Sequence, residues 1–161
     1  MVLKLLDRLE EVLVAFFIGA ATVIIFVAVV HRYMSGFDIP GLQDVLLDIN
    51  LGWAQELCII MFVWMAKFGA AYGVRTGIHV GVDVLINALS ASWRRGFITF
   101  GLLAGAVFTG IVAAFAIAFV YELYHTEQTS PDLEAPMWLV YLGLPIGSSL
   151  MCFRFLQVCW T

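Results

Sequence analysis

Charge is what this chain of 161 residues has least of: only 12% of it is Asp, Glu, Lys or Arg, where soluble domains carry about 25%. The eight Lys and Arg residues are scattered and form no basic patch, so nucleic acid is not expected as a partner. Cysteine is nearly as scarce. Cys58, Cys152 and Cys159 make no CxxC pair and no metal-ligand spacing, and they are read as small apolar side chains in or beside membrane helices. The motifs of common enzymes are missing as well: no HExxH, no GxSxG, no phosphate loop. Ser148 and Ser149 have no local base and read as helix-packing residues. Neither catalysis nor a cofactor is expected.

Apolar side chains fill the space that charge leaves, at 63% of the sequence with a mean hydropathy of +0.99. The length allows one membrane domain of a few helices and leaves no room for a separate soluble one. Four runs stand out, over about 12–30, 57–74, 97–121 and 135–153. Each is long enough, at roughly 27–37 Å as helix, to cross a hydrocarbon core of about 30 Å. Lipid demands that backbone groups pair internally, and these runs show no strand alternation, so helices are the only spanning option. The expected fold is an all-α integral membrane protein with four transmembrane helices. Pro136 and Pro145 fall in the fourth run and are tolerated there; no broken helix is expected. The polar start, KLLDRLEE, mixes acids with bases and precedes an apolar run too long for a signal peptide, so an uncleaved first helix is expected.

The distribution of Lys and Arg sets the orientation. Lys4 and Arg8 precede the first helix, Arg75, Arg94 and Arg95 lie in the second loop, and Arg154 is in the C-terminal tail. The first loop carries only Arg32, and the third, over 122–134, carries none. Both termini and the middle loop are therefore expected in the cytoplasm. Two shorter helices are expected at the interfaces. Leu42, Val45, Leu46, Ile49 and Trp53 make an apolar stripe over about 41–53 on the outer side, and Ile78, Val82, Leu85, Ile86 and Leu89 make another over about 78–92 on the inner side. Trp93, Arg94 and Arg95 would anchor the inner one. The second stripe equally suits a helix that covers the protein's own bundle.

Residues 53–83, WAQELCIIMFVWMAKFGAAYGVRTGIHVGVD, depart furthest from a plain apolar helix. Lys67 interrupts the apolar run, where a charge costs roughly 2.5–3.5 kcal/mol on insertion scales and is normally paired or functional. None of the four runs offers a carboxylate, and Glu56 belongs to the opposite leaflet. The candidate acceptors are helix-end carbonyls, lipid phosphate or a group on another protein. Arg75, His79 and Asp83 recur every four residues and would share a face, as a local charge network or a docking patch. Small residues align as Ala66 with Ala70, Gly69 with Gly73 and Gly77, Gly101 with Gly105, and Gly143 with Gly147, which lets helices approach closely within the bundle or against a partner. Trp53 and Glu56 read as an aromatic anchor beside a solvated acid, or as part of the same interface, as does Trp64.

His31 and His125 end the first and third helices on the outer side, which keeps open a different class: a haem- or quinone-binding anchor of a redox complex. A self-sufficient small exporter is a third class, although its membrane-embedded acid is missing from the first helix.

WAQE leading into the second helix, then FVWMAKFGAAYGVR, then HVGVD resembles the small membrane subunit of the tripartite ATP-independent periplasmic (TRAP) transporters, over the whole chain in size and helix number. KFGAAYGVRTGIHVGVD most resembles members serving C4-dicarboxylates. The resemblance implies a sodium-coupled importer in the bacterial inner membrane. In it, a periplasmic binding protein transiently delivers an organic-acid anion to a large elevator-type permease subunit. The small subunit would form a heterodimer with that subunit and enlarge its static scaffold among the membrane phospholipids. It would bind no substrate, and Trp53, Glu56, Trp64, Lys67, Gly69, Gly73, Arg75, His79 and Asp83 would meet the large subunit or lipid.

Overall fold

The computed structural model describes residues 2–37, 42–76 and 90–160. Apart from one isolated bridge between Thr129 and Pro136, those residues form helices, turns and loops. In order they are α1 (Val2–Met34), α2 (Leu42–Leu47), α3 (Gly52–Thr76), α4 (Ala91–His125), α5 (Met137–Tyr141) and α6 (Gly143–Trp160). Four stretches are long and apolar enough to cross a membrane: Leu6–Met34, Gly52–Thr76, Trp93–His125 and Met137–Trp160, the last made of α5 and α6 together. At 33 and 35 residues, α1 and α4 reach roughly 50 Å and project beyond a 30 Å core.

The fourth span is broken, contrary to the expectation of four continuous helices. Pro145 has no N–H for the Tyr141 carbonyl four residues back, and its ring crowds that carbonyl. The helix accordingly stops at Tyr141, and Leu142 closes a tighter turn by donating its N–H to the Leu139 carbonyl at 3.3 Å. The Trp64 indole N–H donates across from α3 to the Val140 carbonyl at 3.2 Å, beside the break.

Of the helix expected over 41–53, Leu42–Leu47 is helical, while Trp53 belongs to α3. His31 Nε2 lies 2.9 Å from the Leu46 carbonyl and ties α2 to the end of α1. Asn50 Oδ1 accepts the Gly52 N–H at 2.9 Å where α3 begins. The helix expected over 78–92 falls almost wholly on residues outside the described ones, and Ala91 and Ser92 open α4.

Packing runs from α1 to α3, from α3 to α6 and from α6 to α4, so α1 and α4 flank a central pair. Only 6% of α1's most apolar stretch is buried within the chain, against 28% in each other span. Phe16, Val23 and Phe26 on α1, and Phe100, Phe108 and Phe115 on α4, point outward. Lipid tails are as apolar as these side chains, so hydrophobicity does not drive the helices together; close packing and polar links do. Ala21 of α1 is fully buried against Cys58 and Met61 of α3, and the Cys58 thiol faces the Ala21 carbonyl at 3.4 Å. Phe17 stacks on Phe68 and meets Trp64, with ring centroids 6.4 and 6.3 Å apart.

Glycines on α4 and α6 serve as notches. A Cβ on Gly105 would come within 2.8 Å of the Phe155 ring, and one on Gly143 within 3.0 Å of the Trp64 indole. On Gly147 it would lie 2.5 Å from Lys67 Cβ. By contrast, Gly69, Gly73 and Gly101 have open space where a Cβ would be. Gly147→Ala should therefore force α3 and α6 apart and cost about 1–3 kcal/mol, the usual range for overpacking. Gly69→Ala should change stability by less than about 0.5 kcal/mol. Thermal unfolding of the two variants in detergent tests the contrast, and equal midpoints would contradict the notch.

Candidate functional site

At the end of the chain that holds both termini, α1, α3 and α6 meet through charge. Asp7, Glu10 and Glu11 recur at spacings of three and four, so they share one face of α1. Arg154 of α6 and Glu10 are both fully buried. Arg154 Nε donates to Glu10 Oε1 at 2.8 Å, and Nη1 donates to Gln157 Oε1 at 2.8 Å. Its Nη2 stands 2.8 Å from both Asp7 Oδ1 and Glu10 Oε1. These Nη2 contacts are at ion-pair distance without hydrogen-bond alignment, so the directed bond is the one from Nε. Arg75 of α3 completes the cluster, 2.8 Å from Asp7 and 2.9 Å from Glu11, with its guanidinium 4.7 Å from the centre of the Tyr72 ring. Asp7 bridges the two arginines and so joins three helices.

One expectation is corrected here. Arg154 is not in a tail: α6 continues to Trp160, and the residue lies inside it with no solvent exposure. Arg75 pairs with acids of α1, while His79 and Asp83, with which it was expected to share a face, lie outside the described residues. Asp7, Glu10, Glu11 and Arg154 went unnoticed as a set because they flank the apolar runs. Their helical spacing was the available signal.

The opposite end has a different fastening. The loop between α4 and α5 folds back with the Ser130 N–H on the Ala135 carbonyl and the Met137 N–H on the Gln128 carbonyl, at 2.9 and 2.8 Å. Glu127 and Glu134 adopt left-handed backbone, with φ of 51° and 52°. This turn presents the N–H groups of Asp132 and Leu133 to one acceptor, Glu56 Oε2, each at 2.9 Å. Glu56 therefore has partners within its own chain and latches α3 to the loop.

Between the two fastenings lies Lys67, half-buried, its aliphatic stem across Gly147. Among the described residues nothing hydrogen-bonds or ion-pairs with its ammonium group. Ala66 and Ala70 are exposed beside it, and Gly69 and Gly73 are open, so none of the described residues packs on this edge of α3. Trp64 is spent on Gly143 and Val140, while Trp53 stays 36% exposed at the start of α3. Trp93 is exposed and meets Phe97 at 6.4 Å, with Arg94 and Arg95 also exposed. The arrangement offers surfaces for contact.

His31 and His125 sit on the flanking helices, and each has one ring nitrogen 2.9 Å from a backbone carbonyl, Leu46 and Tyr121 respectively. That gives the haem reading no support. Among the described residues no three His, Cys, Asp or Glu side chains are grouped to hold a metal ion.

The family described as "Tripartite ATP-independent periplasmic transporters, DctQ component" matches residues 21–161. The chain belongs to the DctQ family. It is thus a TRAP transporter component and a multi-pass protein of the inner membrane. Among its DctQ relatives is the "C4-dicarboxylate TRAP transporter small permease protein DctQ" of Rhodobacter capsulatus, 60% identical over 97% of this chain and 77% of the relative. The protein of that name in Vibrio cholerae is 32% identical over 96% of this chain and 71% of its own length. The "Isethionate TRAP transporter permease protein DctMQ" of Oleidesulfovibrio alaskensis is 26% identical over 65% of this chain, a match that occupies only 16% of that longer protein.

Removing one partner of a buried ion pair strands the other, at a cost of about 3–5 kcal/mol. Arg154→Met should therefore deplete folded protein from the membrane, and adding Glu10→Gln should recover part of the loss. Accumulation and thermal unfolding of the single and double variants test the pair; equal defects in both would contradict it. Glu56→Ala should release the loop, seen as faster hydrogen exchange at the Asp132 and Leu133 amides with the α1–α3 contact unchanged.

Proposed function

We propose that this chain is the small, substrate-free membrane subunit of a sodium-coupled importer of C4-dicarboxylates. The observation that carries the reading is the 60% identity, along 97% of the chain, to a protein named as a C4-dicarboxylate TRAP small permease. The chain pairs as a heterodimer with a large elevator-type permease subunit, which binds the anion and its ions and receives the substrate from a periplasmic binding protein. The name DctMQ and the short share of that relative matched here support the pairing, since a small permease segment joined to a much longer one fits a permanent partnership. Both termini and the connection between α3 and α4 face the cytoplasm, by the excess of Lys and Arg at that end, where Arg75 closes α3 and Arg94 and Arg95 open α4.

A domain that moves through the bilayer needs a fixed neighbour. The three-helix charge cluster and the Glu56 latch stiffen α3 at both ends, and this supports a scaffolding role for it. The Lys67 edge with Ala66, Gly69, Ala70 and Gly73 is the face we assign to the large subunit or to a lipid between the two. Trp53 and the His79–Asp83 segment extend that interface, Trp64 and Arg75 hold α3 to its neighbours behind it, and Trp93, Arg94 and Arg95 anchor the inner surface.

Co-expression with the large subunit, followed by succinate uptake into proteoliposomes under a sodium gradient, tests role and substrate together. Gly69→Leu with Gly73→Leu should leave the isolated chain as stable as before while cutting co-purified large subunit about tenfold, the equivalent of roughly 1.4 kcal/mol. Lys67→Ala should weaken assembly in the same direction. Unchanged assembly and uptake in both would move the interface elsewhere.

A further inference from the structure

A recess of about 330 Å³ opens between the end of α1 and the start of α3, on the side away from both termini. Its floor is apolar, formed by Ile25, Ala28 and Val29, and its rim is polar, formed by Arg32, Ser35 and Gln55. From Ile25 to Arg32 is roughly 10 Å of helix rise, so the wall passes from hydrocarbon-like to cationic over about the distance from upper acyl chain to headgroup.

The rim is held in shape from several directions. Ser35 Oγ donates to the His31 carbonyl at 2.8 Å, and His31 Nε2 donates to the Leu46 carbonyl at 2.9 Å, a carbonyl being able only to accept. Asn50 fixes the first turn of α3 through the Gly52 N–H. His31, Leu51 and Gly52 all line the recess, so these bonds set its outline. Two donors stay unspent among the described residues. Among the described residues neither the Arg32 guanidinium nor the Gln55 amide has a hydrogen-bond or ion-pair partner, and no carboxylate lines the recess. Arg75 and Arg154, in contrast, are each neutralised by acids of α1.

An uncompensated guanidinium beside an amide recognises an oxyanion, which it can hold through two parallel N–H bonds. Phosphate from a lipid and a free carboxylate or phosphate share that chemistry. The apolar floor distinguishes them, because a free anion gains nothing from Ile25, Ala28 and Val29, whereas the first carbons of an acyl chain do. We propose that this recess holds one phospholipid, its phosphate on Arg32 and Gln55 and the start of an acyl chain along Ile25–Val29. The site is separate from the Lys67 edge and does not depend on the subunit pairing proposed above.

The test uses the full chain, purified and stripped of lipid in detergent, then titrated with phosphatidylglycerol and followed by native mass spectrometry. Wild type should take up one lipid more tightly than any further ones. Arg32→Gln should weaken that first binding about tenfold, Gln55→Leu by less, and Arg32→Lys should retain part of it. Thermal unfolding of each variant separates loss of the site from loss of the fold. First binding that is unchanged in a folded Arg32→Gln protein would overturn the proposal. So would displacement of the lipid from wild type by millimolar inorganic phosphate or succinate, which would make the recess a site for free anions.

Discussion

The guanidinium of Arg154, 2.8 Å from Glu10 and from Asp7, is the contact on which the rest of the inner end depends. In water these helices would be driven together by their apolar faces; in lipid those faces are equally content apart. What remains is a small number of directed contacts, each costly to leave unmade in a medium of low dielectric. Arg154 and Glu10 neutralise each other's charge, Asp7 passes the connection to Arg75, and three helices are fixed by four side chains. The glycine notches then bring α3 and α6 close enough for Trp64 to reach a backbone carbonyl. At the far end Glu56 does for the loop what Arg154 does for the helices. The two fastenings sit about a membrane's thickness apart along α3, and between them its outer edge is left uncovered by the described residues.

Hydropathy made the four spans legible, and small-residue spacing pointed to Gly143 and Gly147, which the structure uses as seats for Trp64 and Lys67. The same spacing at Gly69 and Gly73 meets nothing among the described residues, so the pattern alone does not separate an internal contact from an external one. Pro145 carried the break in the fourth span in plain sight; its general tolerance in membrane helices outweighed, in the sequence reading, the missing donor for Tyr141. The charge cluster was harder to see. Each acid and each arginine lies at the margin of an apolar run, where a solvated charge is ordinary, and only the three-dimensional meeting of residues 7, 10, 75 and 154 makes them a unit. Lys67 drew attention because it stands alone in sequence, and among the described residues its ammonium still has no partner. Glu56 read as a solvated acid for a similar reason: its partners are backbone N–H groups 76 and 77 residues away, which no side-chain pattern records.

The span least embraced by its own chain is α1, yet it carries all three acids of the cluster. Its order of synthesis gives that arrangement a further meaning. Glu10 leaves the ribosome 144 residues before Arg154 and Glu11 leaves 64 residues before Arg75. At about 5–20 residues per second, the first helix waits roughly 7–30 seconds for its final counter-charge. During that time Arg75 emerges to meet Asp7 and Glu11, but Glu10 still lacks the arginine with which it is buried. The buried pair closes only when the last helix has emerged, so a chain cut short between residues 75 and 154 would hold α1 to α3 through Arg75 and still leave Glu10 without its arginine.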